Sequence, residues 1–217
     1  MQSKICGIKD TKTLNYLINH EYPPNFIGFI CNYPKSKRYI DLKLLKNLIK
    51  IKKKNINYVC VLVNPKKVFL EKIKNLNLDY YQLYDVTPKK TLKIKKKYNK
   101  KIITAITVKE KKDVSKYKKY LKIADIILFD SKGYEKSVSF NHSYIKNIYC
   151  SGQKMLAGNI KYNSKLDKFN KITDIIDLSG SLETSDKKDL TKINIFLKNI
   201  KKLNDKNKKK NTLNRSA

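Results

Sequence analysis

Short apolar runs recur along the chain, reading SKICGI, FIGFI, YVCVLV, YYQLY, KIITAIT, DIILFD, KMLAG and DIIDLSG. Each has the length of a β-strand, and most are near-continuous in apolar character, as strands covered on both faces are. Between them lie lysine-rich stretches with helical spacing. In LKLLKNLIKIKKK, residues Leu42, Leu44, Leu45, Leu48, Ile49 and Ile51 form a broad apolar stripe with lysines opposite. VFLEKIKNL, TLKIKKKYNK and KKDVSKYKKYL repeat that arrangement.

The runs are spaced by roughly 25 residues, the length that a strand, a helix and two short loops require. Strands alternating with helices predict a parallel sheet joined by right-handed crossovers. Eight such units fill the chain to about residue 200. The expected architecture is therefore α/β, a single-domain (β/α)8 TIM barrel over residues 1–202. An open doubly wound sheet would usually carry a glycine-rich dinucleotide loop after its first strand, where this chain reads ICGIKDTKT. Residues 203–217 are lysine-rich and lack apolar periodicity, so a disordered tail is expected there.

Composition sharpens this picture in three places. The net charge of +32 points first to nucleic acid, but arginine occurs only at Arg38 and Arg215, and the lysines are spread along the chain. A diffuse lysine excess reads as a solvated basic surface, so nucleic acid is not the expected partner. No apolar run reaches the roughly 18 residues of a membrane span, and the N-terminus enters KICGI without an apolar signal region. Cys6, Cys31, Cys60 and Cys150 form no CxxC pair, which fits reduced thiols and a cytoplasmic location better than disulfides or a zinc site.

In such a barrel the chemistry sits at the C-terminal ends of the strands. The residues there are Cys6, Arg38, Gln82, Asp130, Gly158, Asp177, Ser179 and Gly180. LAGN and DLSGS follow the last two runs, where small residues let backbone N–H groups approach a phosphate; ordinary glycine turns would read the same way. Cys6 and Asp130 are acid–base-capable groups on the first and sixth strands, able to face two sides of one ligand. Such residues also occur as a core thiol and a helix N-cap. Lys4 shares a strand face with Cys6 and is either its charged neighbour or a surface lysine. His20 and His142 fall at no strand end, and no GxxxxGK[ST] loop is present. A metal centre, a Ser-His-Asp triad and a P-loop are therefore not expected.

Taken in order, KICGI, GFI…YPKSKRYI, YQLY, LFDS, LAGN and DLSGSLE resemble the phosphoribosylanthranilate isomerase family of tryptophan biosynthesis, over roughly residues 3–200. That resemblance implies an Amadori rearrangement of N-(5-phosphoribosyl)anthranilate to 1-(2-carboxyphenylamino)-1-deoxyribulose 5-phosphate. Such a reaction consists of proton transfers, so no cofactor is expected, and the partner is a small phosphosugar. The resemblance makes Cys6 the general base and Asp130 the general acid. It places Arg38 on the anthranilate carboxylate, Gln82 and Asp177 against the substrate, and Gly158, Asn159, Ser179 and Gly180 at the phosphate. A monomer or a homodimer is compatible with it.

Two positions depart from the family. Tyr84 stands where a histidine is usual, and GYEKSVSFN replaces a glycine-rich loop that helps to hold the phosphate. In this chain Lys136, or the backbone near Ser137 and Ser139, would share that task with Gly158 and Gly180. Asn159 takes the place of a second glycine and tolerates a left-handed backbone. Another phosphosugar barrel enzyme with altered substrate, or a basic nucleic-acid-binding protein on a dead barrel, are the competing expectations.

Overall fold

A computed structural model describes residues 1–131 and 139–213. Every apolar run forms a strand: β1 (Gln2–Cys6), β2 (Phe26–Ile30), β3 (Asn57–Val63), β4 (Tyr80–Tyr84), β5 (Lys101–Val108), β6 (Ile126–Ser131), β7 (Gln153–Leu156) and β8 (Ile175–Leu178). They pair in sequence order and close into a barrel, with β1 parallel to both β2 and β8.

Closure sorts each strand's residues into two cores by the period-2 alternation of the pleat. Ile5, Ile27, Phe29, Tyr58, Cys60, Leu62 and Tyr81 face outward into the layer under the helices. Phe26, Val59, Val61, Tyr80, Ile103, Ile126, Leu128 and Met155 face inward and fill the barrel. Cys31 and Cys60 belong to the outer core and Cys6 to the inner one, so the alternation alone separates Cys6 from two packing thiols.

The helices start where side chains can cap them. Asp10 accepts from the Thr13 N–H at the head of α1 (Thr11–Asn19), and Asp41 accepts from Leu44 at the head of α2 (Leu42–Leu48). Thr87 caps α4 (Pro88–Tyr98), which opens on a proline and ends at Asn99 in the left-handed region. The remaining crossover helices are α3 (Lys67–Ile73) and the single turn α5 (Lys111–Val114). The stripe predicted through Ile51 is cut short, because α2 ends at Leu48 and the chain turns back through Lys54 at φ 51°.

The expectation of a helix in every unit holds only in part. Among the described residues, the returns after β6 and β7 contain short 3-10 turns, His142–Ile145 and Leu166–Phe169, which cover the barrel with buried Ile145, Leu166 and Phe169. The tail needs a larger correction. Helix α6 runs from Leu190 to Leu213, so residues 203–213 are helical rather than disordered. Ile193, Phe196, Leu197, Ile200 and Leu203 bury one face. Beyond them the attachments are polar: Asn204 bonds Met1, Lys206 pairs with Asp167, and Asn207 bonds Asn170. Hydrophobic periodicity carries no trace of such contacts. No described helix is long and apolar enough to cross a membrane.

Between β8 and α6 lies a hairpin absent from the apolar pattern, made of β9 (Glu183–Thr184) and β10 (Lys187–Lys188). Its turn residues Ser185 and Asp186 both have positive φ, at 49° and 58°, as a tight two-residue hairpin turn requires. The hairpin brings Glu183 and Lys188 to the mouth of the barrel, where they meet Arg38 and the Ser179 carbonyl.

Candidate active site

A cavity of about 500 Å³ opens at the C-terminal ends of the strands. It is lined by Cys6, Arg38, Gln82, Asp130 and Asp177, with Gly158, Asn159, Ser179 and Gly180. Lys136 and Ser137 lie outside the described residues; Ser139 is exposed and does not line the cavity.

Cys6 ends β1, with its side chain inside the barrel. A Cβ on Gly28, its register partner on β2, would come within 2.7 Å of the Cys6 sulfur, so this glycine makes room for the thiol. Burial pushes the thiol above its ordinary pKa, and Lys4 opposes that rise. Lys4 is a fully buried lysine, not a surface one. Its Nζ donates to Asp177 Oδ2 at 2.6 Å across the β1–β8 pairing. Burial alone would pull Lys4 down, but Asp177 and Cys6 together hold it above its usual value and therefore cationic. Lys4→Met would strand the Asp177 carboxylate, at an expected cost of about 3–5 kcal/mol, measured by urea unfolding. Lys4→Met combined with Asp177→Leu should recover most of that loss, since an apolar pair leaves no buried charge.

Asp130 faces the cavity from β6. Burial raises its carboxyl to about 6, against an opposing hydrogen bond from Tyr84. Tyr84 Oη donates to Asp130 Oδ2 at 2.8 Å, and the Ser131 N–H donates to Oδ1 at 2.8 Å. Gln82 does not point freely at a ligand: its Nε2 donates to the Tyr84 hydroxyl at 3.2 Å. Asp177 is likewise half engaged, through Lys4.

Arg38 reaches the cavity from the loop after β2 by lying across Gly7. A Cβ there would come within 2.6 Å of the Arg38 side chain, and Gly7 has φ 78°. The glycine after Cys6 is thus required twice, by backbone conformation and by a neighbour. Arg38 Nε and Nη2 donate in parallel to the two oxygens of Glu183, each at 2.7 Å. Lys188 donates to the same carboxylate at 2.6 Å and is almost fully buried. Burial works against the Glu183 charge, but Arg38 and Lys188 hold its carboxyl below its ordinary pKa.

Glu183 and Lys188 are parts of the site that sequence reasoning missed. Glu183 closes the DLSGSLE motif without a role assigned to it there, and the turn pair Ser185-Asp186, which folds ETSDKK back on itself, is the local signal for Lys188. On the far side, Gly158 has φ 90° and Asn159 φ 53°, and the Gly158 carbonyl lies 3.0 Å from His142 Nε2. The Ser131 and Ser181 hydroxyls are buried with no hydrogen-bond partner among the described residues, as are Gln82 Oε1 and Asp177 Oδ1. All four residues line the cavity. A polar ligand there would satisfy groups that the fold leaves open.

The profile of the family described as N-(5'-phosphoribosyl)anthranilate (PRA) isomerase matches residues 3–199. The N-(5'-phosphoribosyl)anthranilate isomerase of Rhizobium rhizogenes is 32% identical over 192 residues, covering 84% of this chain and 85% of that protein. The one from Thermoanaerobacter pseudethanolicus is 28% identical over 205 residues, covering 91% and 97%. Among solved structures, phosphoribosylanthranilate isomerase from Thermotoga maritima superposes with a TM-score of 0.79 at 24% identity, covering 93% of this chain and 98% of that one. A phosphoribosylanthranilate isomerase in complex with reduced 1-(o-carboxyphenylamino)-1-deoxyribulose 5-phosphate superposes with a TM-score of 0.78, also at 24% identity, with the same coverage.

Proposed function

The chain belongs to the N-(5'-phosphoribosyl)anthranilate isomerase family, and we propose that Cys6 and Asp130 carry out its rearrangement as base and acid. The protein isomerises N-(5-phosphoribosyl)anthranilate to 1-(2-carboxyphenylamino)-1-deoxyribulose 5-phosphate, a step of tryptophan biosynthesis. The observation supporting the residue assignment is the convergence of Cys6, Asp130, Arg38 and the loop residues after β7 and β8 on one cavity. Strands β1 and β6 are not neighbours in the ring, so Cys6 and Asp130 address a bound sugar from different sides.

Asp130 gives its proton to the furanose ring oxygen; the bond from that oxygen to C1 breaks, and the anilino nitrogen lone pair forms an iminium. Cys6, as thiolate, then takes the proton from C2, and those electrons neutralise the iminium to give the enol of the product. The enol becomes the ketone when C1 takes up a proton and the C2 hydroxyl loses one, and exchange with solvent returns the proton from Cys6 to Asp130. The resting protein holds its protons in the opposite order, with a protonated thiol and an Asp130 that titrates at about 6. Substrate favours the exchange: its negative groups raise Asp130, and the cationic iminium, with Lys4, draws the proton off Cys6.

Arg38 takes the anthranilate carboxylate. Glu183 and Lys188 hold the guanidinium plane in place without occupying the whole fork. Gly158, Asn159, Ser179 and Gly180 offer backbone N–H groups to the phosphate, joined by the open hydroxyls of Ser131 and Ser181. Arg38→Ala is expected to raise KM on the order of tenfold with a smaller change in kcat. An unchanged KM in steady-state kinetics would remove Arg38 from the binding set.

A further inference from the structure

Gln82 and Tyr84 sit two residues apart on β4, so both face the barrel interior, where both are buried. Burial, with Asp130 alongside, holds the Tyr84 phenol well above its ordinary pKa, so it stays a neutral O–H donor. The Gln82 amide occupies one lone pair of that hydroxyl, which leaves its single proton for Asp130 Oδ2. Because the Ser131 N–H takes Oδ1, both carboxyl oxygens are gripped and the plane of the group is set.

We propose that Tyr84 is a positioning residue for the acid: steered by Gln82, its hydroxyl orients the Asp130 carboxyl and stabilises the carboxylate left when the proton departs. The proposal rests on Asp130 being the general acid. A neutral donor bonded to a carboxylate favours the ionised form, so Tyr84 makes Asp130 a stronger acid at the moment of transfer. Among the described residues, the other charged groups acting on Asp130 are Lys4 from β1 and Asp177 from β8, while Cys6 from β1 acts on Tyr84. Lys4 favours the carboxylate and Asp177 disfavours it. Both lie two residues deeper along their strands than Cys6 and Ser179, so replacing the Tyr84 hydroxyl leaves their influence in place. This role also gives a physical content to the family departure at position 84: the tyrosine supplies a hydrogen bond to the acid from the strand-four rim.

Tyr84→Phe keeps the ring and removes only the hydroxyl. The variant should fold with an unchanged circular dichroism spectrum and a near wild-type KM, while kcat falls on the order of tenfold. In the substrate-free protein, the Asp130 carboxyl ¹³C resonance, assigned by its absence from Asp130→Asn, should titrate as an acid about tenfold weaker than in wild type. Added to Asp130→Asn, the same change should cost nothing further. A wild-type kcat, an unmoved Asp130 titration, or an equal loss in the Asp130→Asn background would each overturn the role of Tyr84. Asp130→Asn retaining wild-type kcat would overturn the acid assignment itself, and Tyr84's role with it; a strongly impaired Asp130→Asn beside an unmoved titration in Tyr84→Phe removes Tyr84 alone.

Discussion

Asp130→Asn is expected to lower kcat on the order of 10²–10⁴ while leaving KM close to wild type. The amide fills the same space; its one carbonyl oxygen can accept from the Ser131 N–H while its NH2 donates to the Tyr84 hydroxyl, so the fold and the cavity wall are preserved. What it cannot do is release a proton to the ring oxygen. Burial raises the wild-type carboxyl to about 6, near enough to neutrality that bound substrate tips it into its protonated form. The Cys6 thiol titrates above its usual range, so the acid has the lower of the two values in the free protein. Wild-type activity should therefore be highest between the two, falling on the acid side near the Asp130 value, and that Asp130 contribution should vanish in the variant. A variant with near wild-type kcat would mean that another group opens the ring.

Cys6→Ala is expected to be equally severe, on the order of 10²–10⁴ in kcat. The neighbouring groups are engaged elsewhere: Lys4 is held cationic by Asp177, Asp177 gives one oxygen to Lys4 from two residues deeper in the barrel, and Ser179 donates its hydroxyl to the Cys6 carbonyl. Cys6→Ser should stay close to the alanine level, because a hydroxyl in the same pocket ionises far less readily than a thiol. Gly28 leaves room for either side chain, so loss of activity need not bring loss of fold. Unchanged kcat in Cys6→Ala would return this thiol to the status of Cys31 and Cys60, which only fill the outer core.

The barrel was legible because its signal is periodic and local: strand-length apolar runs at even spacing allow few other arrangements. The expectation that strand C-terminal ends gather the candidate residues came from topology, and nine of them, Cys6 and Asp130 included, line one cavity. The parts that escaped are non-local. The Arg38–Glu183 pair joins residues 145 apart in sequence through a hairpin whose strands are two residues long. Tyr84 was visible only as a departure from a family pattern; its bond to Asp130 depends on β4 and β6, on either side of β5, both turning these residues into the barrel interior. The extension of α6 rests on asparagine and lysine contacts, which hydrophobic periodicity cannot register. Lys4 shows the same limit from the other side, since its strand position was evident but its complete burial needed the Asp177 partner to be seen.

The central claim, that this cavity performs the rearrangement through Cys6 and Asp130, meets its most direct test in one fluorescence measurement. Enzymatically generated N-(5-phosphoribosyl)anthranilate is fluorescent through its anthranilate ring, and its decay is followed after mixing with wild type, Cys6→Ala or Asp130→Asn. The account predicts rapid decay with wild type and decay slowed by on the order of 10²–10⁴ with each folded variant. Unchanged fluorescence with folded wild-type protein, or wild-type decay with either variant, would contradict it.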